Sequence, residues 1–198
     1  ADRDWSSDVC SSDLFGGSGD YLMRAQAAGN LARQKGDIQA QGLQNAYQQA
    51  MQQFNAWRSA TSRILSKWMD HPDDRQEFLN TLWYEARRAG LSLSLVLGLI
   101  EVESGFRKYA ISSAGARGYM QVMPFWTKSI GLPEHDLFHL RLNLRYGCTI
   151  LRHYLDVEHG DLYRALGRYN GSLGQSQYPQ SVLNAWHKNW NFSKNQHN

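Results

Sequence analysis

Leu93-Ser94-Leu95-Val96-Leu97-Gly98-Leu99-Ile100-Glu101-Val102-Glu103-Ser104 is the stretch on which the reading of this chain turns. Its apolar side chains point in nearly every direction around a helix, the pattern of a helix buried at the centre of a domain. A buried strand has the same signature over this length, but the Leu and small-residue content, with few β-branched positions, favours the helix. The run ends on a carboxyl, Glu103, followed closely by Gly105. A carboxyl standing where a buried helix opens onto a Gly-rich segment is desolvated on one side and reachable on the other. That raises its pKa toward neutrality and makes Glu103 a candidate general acid. Glu101 lies about 200° around the helix from it, so the two do not share a face, and Glu101 reads as exposed and structural. Without further context a carboxylate at a helix end is more often structural than catalytic, and the neighbouring residues have to decide.

Working outward, Trp57, Thr61, Ile64, Leu65 and Trp68 form one helical stripe that His71-Pro72 terminates. Asp74 followed by Glu77 reads as a capping box opening a second helix through Phe78, Leu82, Trp83 and Ala86 to Gly90. Beyond the central run, Tyr109 to Val122 carries Gly115 and Gly118 with Ser112 and Ser113, which predicts short irregular strands or loop where a cleft is lined. Leu144, Cys148, Leu151 and Leu155 mark a helix ended by His159-Gly160. Asp161 caps another through Leu166 to Asn170-Gly171, and Val182, Ala185, Trp186 and Trp190 mark a third. The predicted class is mainly α, a helical domain with a small irregular β/loop segment beside the cleft.

The chain has 198 residues, 42% hydrophobic with seven Trp, enough for one domain with a real core plus an appendage. A net charge of +3 is too mild to argue for nucleic acid; slight basicity suits an anionic polymer such as a bacterial wall, although most such charge is solvated surface. The longest apolar stretch, Leu91 to Val102, is too short to span a bilayer. Residues 1–14 contain Asp4-Trp5-Ser6-Ser7-Asp8-Val9-Cys10-Ser11-Ser12-Asp13-Leu14, which looks like one reading frame of a sequencing adapter. That segment is expected to be an artefact, with the natural start and any signal peptide lost. Cys10 falls with it, leaving Cys148 as a small core residue. Residues 15–55 begin with a Gly-rich linker and continue Gln- and Ala-rich, with Tyr47, Met51 and Phe54 on one helix face and Gly29, Gly36 and Gly42 weakening it, so they read as a polar, partly helical extension. Residues 56–192 are the expected compact domain and 193–198 a polar tail. His135 and His139 are four apart, but no Glu or Cys completes a zinc set, and neither a metal nor another cofactor is expected.

Hydrolysis of a glycosidic bond usually needs two carboxyl groups, yet between Glu103 and Glu134 there is no Asp or Glu at all. A glycan-cleaving site here would let a single Glu perform both proton transfers while the substrate supplies its own nucleophile. Four ordered motifs then carry a specific resemblance: Glu103-Ser104, Gly115-Ala116-Arg117-Gly118-Tyr119-Met120-Gln121-Val122-Met123-Pro124, Asn143-Leu144-Arg145-Tyr146-Gly147 and Ala165-Leu166-Gly167-Arg168-Tyr169-Asn170. Their order and spacing resemble the catalytic domain of the soluble lytic transglycosylases, over roughly Ala56 to Trp190. The resemblance implies a goose-type-lysozyme-like fold and cleavage of the β-1,4 bond between N-acetylmuramic acid and N-acetylglucosamine, leaving a 1,6-anhydro ring.

Carried over residue by residue, the resemblance makes Glu103 the acid and then the base. It places Ser112 near the substrate's N-acetyl region, Met120 and Gln121 along the sugar cleft, Tyr169 near the catalytic carboxyl with Asn170 beside it, and Ser104 and Asn143 in support. Met120 would otherwise read as core filler, and Tyr169-Asn170-Gly171 as a plain helix stop. Phe125 and Trp126 are candidates for stacking on sugar rings, although burial is the commoner fate of such a pair. Arg107-Lys108 stands where the family often has Asn-Pro, and Arg168 where alanine is usual; such cations near a cleft either meet substrate carboxylates or are ordinary surface. The implied partner is the peptidoglycan glycan strand, in the periplasm or cell envelope or on a phage virion. The alternatives are a lysozyme-type muramidase, or a wall-binding virion or secretion-apparatus component with little turnover.

Overall fold

Helices carry nearly all the regular structure of the computed structural model, which describes residues 37–191, with side chains described from residue 41. The adapter-like residues 1–14 with Cys10, the first part of the extension through residue 36, and the tail 193–198 lie outside the described residues. The helices are α1 Asp37–Leu65, α2 Pro72–Arg88, α3 Leu93–Ser104, α4 Phe125–Ile130, α5 Leu140–Val157, α6 Leu162–Tyr169 and α7 Gln177–Asn189. Among the described residues the β structure consists of isolated antiparallel bridges that pair Arg117 with Ile111 and with Val122. The mainly helical class read from the sequence is the class observed. The described residues divide into two compact units, and the boundary between Asn80 and Thr81 falls inside α2.

In the first unit α1 runs unbroken through Gly42 and across the change of composition near position 55. A Cβ at Gly42 would meet nothing, so this exposed glycine costs only its propensity, about 1 kcal/mol, which a 29-residue helix absorbs. Arg75 folds the link to α2, its guanidinium donating to Met69 O (2.6 Å), Asp70 O (2.7 Å) and Ser62 Oγ (3.2 Å). Helix α2 starts at Pro72, so the Asp74–Glu77 pair read as a capping box lies inside it. The reason is that proline needs no N–H partner in a first turn, and Asp73 and Asp74 favour the positive end of the helix dipole from within that turn.

The second unit is organised around α3. Ser92 caps its start, accepting from Leu95 N (3.4 Å), and Leu95 through Ile100 are buried. Gly105 ends it at φ 55°, in the left-handed region glycine adopts without strain, with its N–H donating to Glu101 O at 3.0 Å. Helix α7 packs along α3, and the close approach is made by a missing side chain: a Cβ on Gly98 would stand 2.8 Å from Trp186 N. Helix α5 approaches the loop before α4 in the same way, with Gly147 leaving room for the Met120 side chain.

One ion pair is taken inside this unit. Arg145 of α5 donates from Nε to Glu85 Oε2 (2.9 Å) and from Nη2 to Oε1 (2.8 Å), both side chains being almost fully buried. Arg88 adds a contact to the same carboxylate at 3.4 Å. A buried bidentate pair is weakly stabilising as a pair but expensive to break, because the survivor is left charged in a poor solvent. Arg145→Met should therefore destabilise the protein by about 3–5 kcal/mol, and the double replacement Glu85→Leu/Arg145→Met should recover most of that loss. Urea unfolding of the two variants beside the wild type checks both statements.

Candidate active site

Glu103 occupies the last turn of α3, two residues before the chain turns at Gly105. Its carboxyl is held by Tyr178, whose hydroxyl donates to Glu103 Oε1. Burial pushes the Glu103 pKa up from 4.5 to about 7, with the Tyr178 hydrogen bond pulling weakly the other way. Burial and the nearby Glu103 carboxyl raise Tyr178 and Tyr169 well above the ordinary phenol value. Both phenols therefore remain O–H donors at any working pH. Tyr178 thus occupies Oε1 of the carboxyl.

The segment following α3 is strung to the helices behind it by a short series of hydrogen bonds. Ser104 Oγ donates to Tyr119 O (2.7 Å) and lies 3.2 Å from Ile100 O. Asn143, wholly buried in α5, accepts from Met120 N at Oδ1 (2.8 Å) and donates from Nδ2 to Arg117 O and Leu137 O (both 2.8 Å). Tyr169 Oη donates to Met120 O at 2.7 Å. A single residue, Met120, thus has its N–H and C=O held by two different helices. Gly118 sits against the Asn143 amide at φ 76°, where any Cβ would clash.

The structure distributes the other expected residues unevenly. Met120 is fully buried, with its sulfur 4.0 Å from Cys148 Sγ; its side chain fills the core and does not line a cleft, since Gly147 opens a hole of its size on α5. Gln121, at φ 49°, donates from its amide to Gly118 O (2.8 Å) and Ala110 O (3.1 Å), so it braces the loop. Ser112 Oγ accepts from Ala116 N at 3.1 Å across the turn. Asn170 is exposed at the end of α6, its amide donating to Ser172 Oγ (3.0 Å). Phe125 is 54% exposed beside Trp126, ring centroids 5.0 Å apart.

The reading of Glu101 needs correction. Glu101 is not an exposed bystander: it is half-buried and accepts from Asn189 Nδ2 (2.8 Å) and Trp190 Nε1 (2.6 Å). The chain beyond α7 folds back onto that face of α3, which a helical wheel does not reveal. The departure at Arg168 also has a local purpose, because Arg164 and Arg168 both pair with Glu158 at the end of α5. Tyr178 was not singled out from the sequence. Pro179 marks it as lying in a first helical turn, but nothing in the linear order ties it to a carboxyl 75 residues away. Among the described residues no three His, Cys, Asp or Glu converge on a common point.

The mainly helical arrangement of this chain is one already seen in a lytic transglycosylase. The solved structure of an inactive mutant of the lytic transglycosylase Slt from Pseudomonas aeruginosa shares it, with a TM-score of 0.50 and 22% identity over 85% of this chain and 34% of that one. The family model for the Transglycosylase SLT domain matches residues 82–190, and the chain belongs to that family. Among its relatives is the membrane-bound lytic murein transglycosylase C of Haemophilus ducreyi, 40% identical over 134 residues, which are 59% of this chain and 36% of that protein. Another is the transglycosylase of Enterobacteria phage PRD1, 30% identical over 102 residues, 52% of this chain and 37% of that protein. The chain spans about a third of the length of these curated relatives.

The raised Glu103 pKa has a consequence for stability. Folded protein binds a proton more tightly than the unfolded chain here, so ionisation of Glu103 opposes folding from pH 4.5 upward and does so fully above about pH 7. Glu103→Gln, which keeps an acceptor for Tyr178, should match the wild type in melting temperature near pH 4 and exceed it by several degrees at pH 8. Thermal unfolding at the two pH values measures the difference.

Proposed function

We propose that this domain cleaves the glycan strands of murein by non-hydrolytic transglycosylation, with Glu103 as both acid and base. The observation that carries the reading is the position and environment of that carboxyl: at the open end of a buried helix, held by Tyr178, with a pKa near 7. An acid titrating there is half protonated at neutral pH and transfers a proton in either direction at comparable cost.

In the first step Glu103 gives its carboxyl proton to the glycosidic oxygen as the bond from that oxygen to C1 of the N-acetylmuramoyl residue breaks. The leaving N-acetylglucosamine departs as an alcohol, and the carboxylate left behind faces the developing positive charge on the ring. In the second step the carboxylate takes the proton of the muramoyl 6-hydroxyl while O6 bonds to C1. Glu103 is regenerated, no water is consumed, and the product carries a 1,6-anhydro ring. Tyr178 steadies the carboxylate between the two steps. The backbone of Met120, held by Asn143 and Tyr169, would set the wall against which the sugar lies, and orientation is the remaining contribution the site has to make. Acidic residues are absent between Glu103 and Glu134, which favours this sequence over a two-carboxylate hydrolysis. The names of the relatives, one membrane-bound and one from a phage, favour a role at the cell envelope, with assembly into a virion or secretion apparatus the other setting.

Mass spectrometry of the muropeptides released from purified sacculi tests the reaction: anhydro ends, lighter by one water than reducing ends, are expected. Hydrated ends would identify a muramidase instead, and binding to sacculi without release would identify a wall-binding component. Glu103→Gln should abolish release. Tyr178→Phe removes the bond that lowers the Glu103 pKa, so the alkaline limb of the pH–rate profile should move upward while kcat at its optimum falls by roughly tenfold.

A further inference from the structure

Beyond the catalytic helix, four side chains from three separate segments converge on the surface of the second unit. Tyr109, 70% exposed, has its ring 5.8 Å from that of Phe138, inclined at 51°. The Lys108 ammonium lies 5.4 Å from the Tyr109 ring centre and the Arg117 guanidinium 5.9 Å from that of Phe138. Ile111, 64% exposed, continues the apolar surface, and its bridge with Arg117 fixes the register of that cation. The backbone beneath is firm. Ala110 O accepts from both Gly118 N (2.9 Å) and Gln121 Nε2 (3.1 Å), and Arg107 Nε donates to Ser104 O (2.9 Å). Asp136, two residues before Phe138, uses Oδ1 to accept from Phe138 N at 2.8 Å.

A tyrosine left this exposed beside a half-buried phenylalanine is unusual surface for a protein to leave bare, and cations resting on ring faces are held in place rather than sweeping through solvent. A ligand fitting the patch needs flat, partly apolar rings to lie against Tyr109 and negative charge to meet Lys108 and Arg117. A glycan strand bearing carboxylates has both; a neutral glycan has only the first. Anionic lipid headgroups have the charge but no flat rings to lie against Tyr109.

Resting on the reaction proposed above, we infer that Tyr109, Phe138, Lys108 and Arg117 form a docking platform for the carboxylate-bearing part of the murein strand, and so favour peptide-substituted, anionic glycan over neutral glycan. The cations are exposed, so their contribution is moderate and screened by salt. It should appear in binding and not in the chemical step.

The test uses two substrates, native murein strands and the same strands with their carboxylates converted to methylamides. For the wild type, amidation should raise KM about three- to tenfold at low ionic strength with kcat little changed. Lys108→Ala/Arg117→Ala should show the higher KM on native strands and no further rise on amidated ones. Tyr109→Ala should raise KM on both. Equal KM values for the double variant and the wild type on native strands, or a loss confined to kcat, would overturn the inference. So would co-flotation with phosphatidylglycerol–phosphatidylcholine vesicles that the double variant loses while its murein kinetics stay intact, since that identifies a membrane surface. If the wild type releases no product at all, the proposed reaction fails, and the platform is judged separately: Glu103→Gln protein should still pellet with native sacculi better than with amidated ones, and equal pelleting would reject it.

Discussion

The packing of α7 against α3 is the constraint from which the site follows. Gly98 lets the backbone of α7 come within contact distance at Trp186. Because the helices are that close, Tyr178 at the start of α7 reaches the Glu103 carboxyl, while Asn189 and Trp190 beyond its other end reach Glu101. Trp190 is itself fully buried, 5.4 Å from the ring of Phe106, which stands at φ 60° immediately after the helix stop. A non-glycine residue in that region is held by its surroundings, and here the holder is the buried indole. Two carboxylates on different faces of α3 are thus bound by the same helix and the residue following it. One bond tunes the Glu103 carboxyl; the other pair anchors the turn before it.

Burial and hydrogen bonding act on Glu103 in opposite directions, and burial wins. The balance has a functional reading. A carboxyl that has to give and then retrieve the same proton works best when neither form is much favoured, and a hydrogen bond to one oxygen moderates the desolvation without cancelling it. The contrast with Glu85 is instructive. That carboxylate is at least as buried, but Arg145 meets it with two parallel hydrogen bonds, so it is paired within the core. Environment decides which buried carboxyl is locked in an ion pair and which has its pKa raised toward neutrality.

The loop between α3 and α4 shows why residues in a motif need not act through their side chains. Met120 contributes its peptide groups, gripped by Asn143 and Tyr169, while its thioether fills the hole left by Gly147. Gln121 and Ser112 turn their polar atoms inward to brace the same segment. A sequence motif records that these residue types are needed and is silent on whether they meet a ligand or the chain itself.

Several things were legible in the order of residues alone. The all-round apolar run of Leu93–Val102 announced a buried helix, Gly105 announced its end, and Glu103 stood out as a carboxyl at that junction. Asp161 and Asn170-Gly171 marked the ends of α6 because capping depends on local chemistry that a few adjacent residues contain. Contacts made across long separations could not be read in this way. That Tyr178 would hold Glu103, that Glu101 would be covered by Trp190, and that Tyr109 and Phe138 would meet on one surface all depend on how helices and loops pack. Periodicity and caps are local properties and belong to the sequence; the partner of each polar group is a property of three-dimensional distance, and only the folded chain decides it.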